Sequence, residues 1–255
     1  MGQEQERRVL ELYEKGVLTK EEAKACFLEL NADSDFLFIE EKAKLGFTLP
    51  HFKVFSSSKL KQEFTFSAIE SMKIRLTEGR IQFLKHKKND CAVRIVYPQQ
   101  VEEEDLPKIF IEEERLYFDS RFPCQVTISL PEKWMSILDL DLGQADARLD
   151  YLPFEDISIY SQTDKKQQDI RLAAQGKFSQ HLSLAFCHAN VQLQLAKNQG
   201  FNGKIESRTG KVWVNRKSQI SPFTYQQEGH YPLQVKMMTL DGQLSLKGMK
   251  HVRIL

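Results

Sequence analysis

Thr209-Gly210-Lys211-Val212-Trp213-Val214-Asn215 is a turn glycine followed by two apolar residues on one side with polar residues between them. The phrase recurs as Gly242-Gln243-Leu244-Ser245-Leu246 and as Gly79-Arg80-Ile81-Gln82-Phe83. Shorter copies stand at Gly143-Gln144-Ala145-Asp146-Ala147 and Gly176-Lys177-Phe178, and Glu114-Arg115-Leu116-Tyr117-Phe118 lacks the glycine. Positions 79, 114, 143, 176, 210 and 242 are separated by 35, 29, 33, 34 and 32 residues. Read as a structural period, this spacing predicts repeats that bury their apolar faces on one another. A helical repeat of that length is excluded by the period-2 alternation within each copy. The expectation is a mainly β, β-solenoid-like stack. Glycine occupies the corners because it adopts positive φ without steric cost, and successive coils lie above one another in order.

The alternation holds over the whole of 64–255. Phe64 and Phe66, Ile74 and Leu76, Val93 and Ile95 are early pairs; Leu138, Leu140 and Leu142 are spaced by aspartates. Leu182, Leu184 and Phe186, then Val191, Leu193 and Leu195, continue it. These are short strands with one buried and one wet face, and no helix is expected after residue 63. Residues 64–135 are less regular and are expected to form an antiparallel lead-in sheet.

Upstream the period is 3.6. Val9, Leu10, Leu12 and Tyr13, then Ala23, Cys26, Phe27 and Leu30, mark one face of two short helices. Gly16 ends the first, and Thr19-Lys20-Glu21-Glu22 is a capping box for the second. Isolated helices this short are marginal in water, so their apolar faces need a partner. The expected division is 1–30, a small α-helical hairpin for docking or dimerisation; 31–63, a linker with Ser56-Ser57-Ser58-Lys59 as its most flexible part; and 64–255, the β-strand-repeat domain.

Composition narrows the function. The 36 basic and 35 acidic residues nearly cancel, which removes the simplest electrostatic case for nucleic-acid binding. Cys26, Cys91, Cys124 and Cys187 are too dispersed for a Cys-x-x-Cys zinc or redox motif. The polar N-terminus has no signal-peptide core, and no window has the length of a membrane span. A soluble cytoplasmic chain is expected, with envelope association open. Met1-Gly2 is followed by Glu6 where a myristoylation signal favours Ser or Thr.

No residue pattern carries a reaction. His181 and His188 have odd spacing and fall on opposite strand faces unless a turn intervenes, and Cys187-His188 are adjacent residues that point apart. Glu102-Glu103-Glu104-Asp105 and Glu112-Glu113-Glu114 are dense enough to be solvated. Asp139 and Asp141 share a face without a third oxygen donor for a hard cation. Lys85-His86-Lys87-Lys88 and Lys165-Lys166 read as charged turns. Gly200-Phe201-Asn202-Gly203-Lys204 lacks the spacing and following helix of a phosphate loop. Trp213 lies between Val212 and Val214 and so faces away from the core they build. No catalytic, cofactor-binding or metal-ligating residue is assigned, no cofactor is expected, and the chain is read as a non-enzyme.

Two features together resemble the bacterial putative-adhesin β-strand-repeat family, which includes the YvlB-like and LiaX-like cell-envelope-stress proteins. One is Val9-Leu10-Glu11-Leu12-Tyr13-Glu14-Lys15-Gly16-Val17-Leu18-Thr19-Lys20-Glu21-Glu22-Ala23, similar to the short helical-hairpin module that often opens those chains. The other is the order of strand phrases, with Val126-Thr127-Ile128-Ser129-Leu130-Pro131 where the family has a strand ending in Val-Pro or Leu-Pro. The resemblance implies a non-enzymatic binding or scaffold protein of the envelope-stress response. It would act through protein–protein contacts, with a protein partner or self-association at the N-terminal helices. Weak contact with an anionic surface stays open; from the charge balance and the lack of a long apolar window, neither nucleic acid nor a membrane span is expected. The alternatives left open are a polysaccharide-acting β-helix enzyme and a module for anionic lipid or peptide.

Overall fold

A computed structural model describes residues 61–98, 101, 106–163 and 166–249. The expected helical hairpin at 1–30, most of the expected linker, and the acidic run 102–105 lie outside the described residues. Those described form eighteen strands and no helix.

Alternation of inward and outward residues is what turns this sequence into strands: most have one face for the core and one for water. Most of them are rungs, each contributing one strand to a front ladder and the next to a back ladder. The rungs are β2 (Ser71–Leu76) with β3 (Gly79–Lys85), β6 (Arg115–Ser120) with β7 (Cys124–Leu130), β8 (Met135–Asp141) with β9 (Asp146–Leu149), and β10 (Phe154–Ser161) with β11 (Gln168–Ala173). β12 (Gln180–Gln194) crosses from one ladder to the other as a single strand of 15 residues. β13 (Gln199–Ser207) with β14 (Lys211–Val214), and β17 (His230–Asp241) with β18 (Gln243–Lys247), complete the set. Neighbouring rungs pair in parallel in both ladders, and β12 joins the ladders into one curled sheet.

The core is a set of columns. In the front ladder Phe118, Ile74, Leu140, Ile159, Leu184, Met237 and Ile205 are successive register partners. In the back ladder Ile128, Phe83, Leu149, Leu172, Leu193, Leu246 and Val214 are. All are buried. Full burial of such side chains contributes about 1.5–3 kcal/mol each, before the larger cost of ordering the chain.

The columns also give the stacking order, which is not the order of the sequence. β2 lies between β6 and β8, and β17 lies between β12 and β13. The expected in-order stack is therefore corrected at both ends, and only β8 to β12 follow the chain. The expected period is corrected as well. Gly79, Gly143, Gly210 and Gly242 stand at front-to-back corners, whereas Gly176 lies in the return connection between β11 and β12. Glu114 is a hairpin-turn residue of positive φ after β5 (Lys108–Glu112). The phrase marks tight turns of several kinds, because any strand leaving one begins with the same alternation. Nor is 64–135 an antiparallel sheet throughout: β2, β3, β6 and β7 all belong to the parallel ladders.

Corners are where a parallel stack is most exposed to failure, since the backbone leaves the ladder and its polar groups need partners. Buried side chains supply them. Gln180 Nε2 donates to the carbonyls of Leu152 and Phe154, both at 2.8 Å. Gln168 Nε2 donates to Ala145 O at 2.7 Å, and Gln227 Nε2 to Gln199 O at 2.8 Å. At the front-to-back corner, where Gln168 also acts, Ser161 Oγ donates to Gly143 O at 2.6 Å, Ser207 Oγ to Gly242 O at 3.2 Å, and Thr239 Oγ1 to Asp241 O at 2.7 Å. Gly242 has φ +125°, and a Cβ there would run into the Ala189 carbonyl of the adjacent rung.

Antiparallel strands finish the stack. β5 pairs with β6 and β16 (Phe223–Gln227) with β13 in the front ladder. β4 (Cys91–Val96) and β1 (Lys61–Phe66), then β15 (Lys217–Gln219), do the same in the back ladder. Short flanking strands protect a sheet edge that would otherwise offer an unpaired parallel template. Outside the core, Lys85 and Lys177 converge on Glu132, at 2.7 and 2.9 Å. Their hydrogen bonds, Lys85 first, hold the Glu132 carboxyl down to about 2. Burial, with the Asp90 carboxylate beside it, pushes the Cys91 thiol up to about 12.

Gln180→Leu removes the donor from two buried carbonyls, at a cost of about 1–3 kcal/mol for each group left unpaired. Urea unfolding should show a loss of that order, and an unchanged midpoint would contradict the role given to the amide. Because the Glu132 pKa is depressed, its ion pairs stabilise the fold above the ordinary carboxylate value of 4.5 and are lost as pH falls toward 2. A carbon-detected NMR titration should place its midpoint well below those of the other glutamates. The accompanying loss of stability should be small, since all three side chains are exposed.

Candidate functional site

The outward positions of the front ladder form rows across the stack, with neighbouring strands about 4.8 Å apart. One row runs Ile137, Asp156, His181, Gln234, Asn202, Gln226. Beside it runs Lys73, Asp139, Ser158, Ser183, Lys236, Lys204, Thr224. A third carries Arg75, Asp141, Tyr160, Ala185, Met238 and Glu206. The small side chains at Ser158 and Ser183 leave a depression of about 540 Å³, bordered by Asp156, His181, Gln234, Asn202, Lys236 and Lys204. A smaller hollow of about 260 Å³ continues it past Asn202 and Gln234 to Gln226 and Gly229. The trough therefore crosses the strands instead of running along them.

Its electrostatics are graded. His181 Nδ1 is 3.0 Å from Asp156 Oδ1 on the neighbouring rung. Arg75 Nε lies 3.6 Å from Asp141 Oδ2. Burial raises the Tyr160 phenol above its usual pKa, and the Asp139 and Asp141 carboxylates beside it add to the shift. At the far end Lys204 and Lys236 are direct register partners, and Glu206 reaches Lys204 at 2.9 Å. Next to this polar strip Met238 and Leu240 are about half exposed, at 42% and 48%.

The residues singled out in the sequence fall as follows. His181 and His188 both face outward because β12 turns its corner at Cys187-His188, where alternation breaks and both residues are half-buried. His188 Nδ1 sits 3.7 Å from Asp241 Oδ2. Asp139 and Asp141 share the outer front face. No group of three or more His, Cys, Asp or Glu residues able to hold a metal ion occurs among the described residues. Lys85 is paired with Glu132, and Lys87 and Lys88 are exposed. Lys166 pairs with Asp146 at 3.1 Å, and Lys165 lies outside the described residues. Gly200–Lys204 is strand backbone in β13. Glu112–Glu114 end one strand and form its hairpin turn. Trp213 does face away from the core; it is half-buried, with Ser245 and Ser218 as register neighbours, and its buried Nε1 has no hydrogen-bond partner.

Sequence reasoning missed the trough because its lysines, serines and amides come from strands distant in the chain. Each is an ordinary wet-face residue in its own strand. The one available signal was their shared parity: Asn202 and Lys204, and Gln234 and Lys236, alternate with apolar residues that the columns bury.

No helix among the described residues is long and apolar enough to cross a membrane. The sequence matches no protein-family model, and no curated protein sequence matches it. Solved structures do resemble it. A putative cell adhesion protein from Clostridium sporogenes has a TM-score of 0.58 at 12% identity, over 73% of this chain and 98% of that one. A putative adhesin from Bacteroides fragilis has a TM-score of 0.36 at 11% identity, over 75% and 97%. A putative lipid binding protein from Parabacteroides distasonis has 0.25 at 8%, over 76% and 98%. The first of these likenesses shows that the described strands share the fold of that solved structure.

Proposed function

We propose that the chain is a non-enzymatic binding protein that uses the front face of its strand stack to hold a ligand and its N-terminal segment to recruit a protein. The observation that carries the reading is the trough: an ordered strip of outward side chains spanning five rungs, on a scaffold whose backbone groups are already paired. A surface so built is preorganised, so little ordering cost remains to be met on binding. The name of the Clostridium structure, a putative cell adhesion protein, agrees with a binding role.

The assignments beyond this stem from the residue patterns of the sequence and, for the envelope-stress setting, from the resemblance. Residues 1–30 are assigned a helical hairpin that docks a partner or a second copy, with 31–63 as linker and 64–255 as a solenoid-like display domain. The setting is the bacterial envelope-stress response, with the protein made in the cytoplasm and associating with the envelope.

Two arms test the reading. Removing 1–30 should change the oligomeric state or the set of captured proteins; if neither moves, the docking role fails. Separately, filling the trough with the bulky, uncharged Ser158→Trp and Ser183→Trp in the full chain should abolish sedimentation with bacterial envelope preparations. Undiminished sedimentation would contradict the assignment of the front face.

A further inference from the structure

Lys204 and Lys236 face each other directly across parallel strands, an arrangement that costs stability through like-charge repulsion. Glu206 offsets only Lys204, at 2.9 Å. Among the described residues the Lys236 side chain has neither a hydrogen bond nor an ion pair, and the amides of Asn202 and Gln234 have no side-chain hydrogen bond. Those amides sit two positions before the lysines on the same strands, where the two hollows meet. The result is a compact group of two ammoniums and two carboxamides, open to solvent in a depression, in which only Lys204 has a side-chain partner.

Resting on the reading of the front face as a ligand surface, we propose that this end of the trough binds the carboxylate of an acidic glycan. The ammoniums match the charge with charge-assisted hydrogen bonds, and the amides supply donors and acceptors together, which sugar hydroxyls need. Serine hydroxyls at Ser183 and Ser158 continue the strip at one-rung intervals toward Asp139, so the hydroxyls of a glycan meet further donors and acceptors while its carboxylate belongs at the lysine end. An acidic peptide fits less well. Peptides held by sheets add to an edge through backbone hydrogen bonds, and the backbones of these inner strands are paired on both sides.

The test uses the full chain and isothermal titration with an oligogalacturonate. Its methyl-esterified form removes the charge, oligoglutamate is the peptide arm, and phosphatidylglycerol vesicles are the lipid arm. Binding of the free acid should weaken roughly tenfold or more on esterification and on Lys204→Gln with Lys236→Gln. Asn202→Ala with Gln234→Ala, which leaves the charges in place, should weaken it as well. Lys87→Gln with Lys88→Gln, on a remote turn, should not. Circular dichroism melts verify that each variant is folded, and these side chains are all exposed. Absent binding, equal binding of the esterified form, equal or tighter binding of oligoglutamate, or binding of vesicles alone overturns the proposal. If the glycan fails while Ser158→Trp and Ser183→Trp still block envelope sedimentation, the glycan chemistry is wrong and the front-face reading survives.

Discussion

Everything in this fold depends on satisfying the backbone at the corners. A parallel stack pairs its strands fully but breaks the ladder twice per rung, and each break leaves carbonyls and amides inside the protein. An unpaired buried group costs about 1–3 kcal/mol, a sizeable fraction of the net stability of a domain. Here the corners close by two devices. Buried glutamines reach the carbonyls of neighbouring strands, Gln180 and Gln227 at the return corner and Gln168 at the front-to-back corner, and at the latter serine or threonine near the end of the front strand does the same. Gly242 completes the second device by letting adjacent corners approach more closely than a Cβ allows.

The stacking order determines what the surface offers. With β17 inserted between β12 and β13, Lys236 stands between Ser183 and Lys204. Stacked in chain order, Lys204 would lie beside Ser183, and the lysine pair would end the stack without a neighbour on one side. The trough is thus a product of topology as much as of composition. The long β12 strand reinforces this by fixing both ladders in one register.

Much of the architecture was legible. Alternation such as Val126-Thr127-Ile128 locates strands because one face must be dry, and Gly79 and Gly242 locate corners because positive φ selects glycine. Trp213 was placed outward by parity alone. Pairing direction was not legible. Parallel strands covered on both faces are apolar throughout, but these have a wet outer face and so alternate just as antiparallel strands do. The order of rungs was equally hidden, since Ile74 or Leu140 would fit a column beside any of its neighbours. The corner roles of Gln180 and Ser207 were not legible because their partners are backbone atoms, which leave no trace in the sequence. The bend in β12 placed His181 and His188 on the same side of the protein, against simple parity.

The order of the rungs is tested most directly by engineered cysteine pairs in a Cys187→Ser background. Register partners on neighbouring rungs lie about 4.8 Å apart and can form a disulfide, whereas positions two rungs apart exceed the ~7 Å Cα limit. Ser183→Cys with Lys236→Cys should close readily on mild oxidation, as read by peptide mass mapping, and Ser183→Cys with Lys204→Cys should not. Closure of the second pair in place of the first would mean the rungs stack in chain order, contradicting both the topology and the binding face built on it.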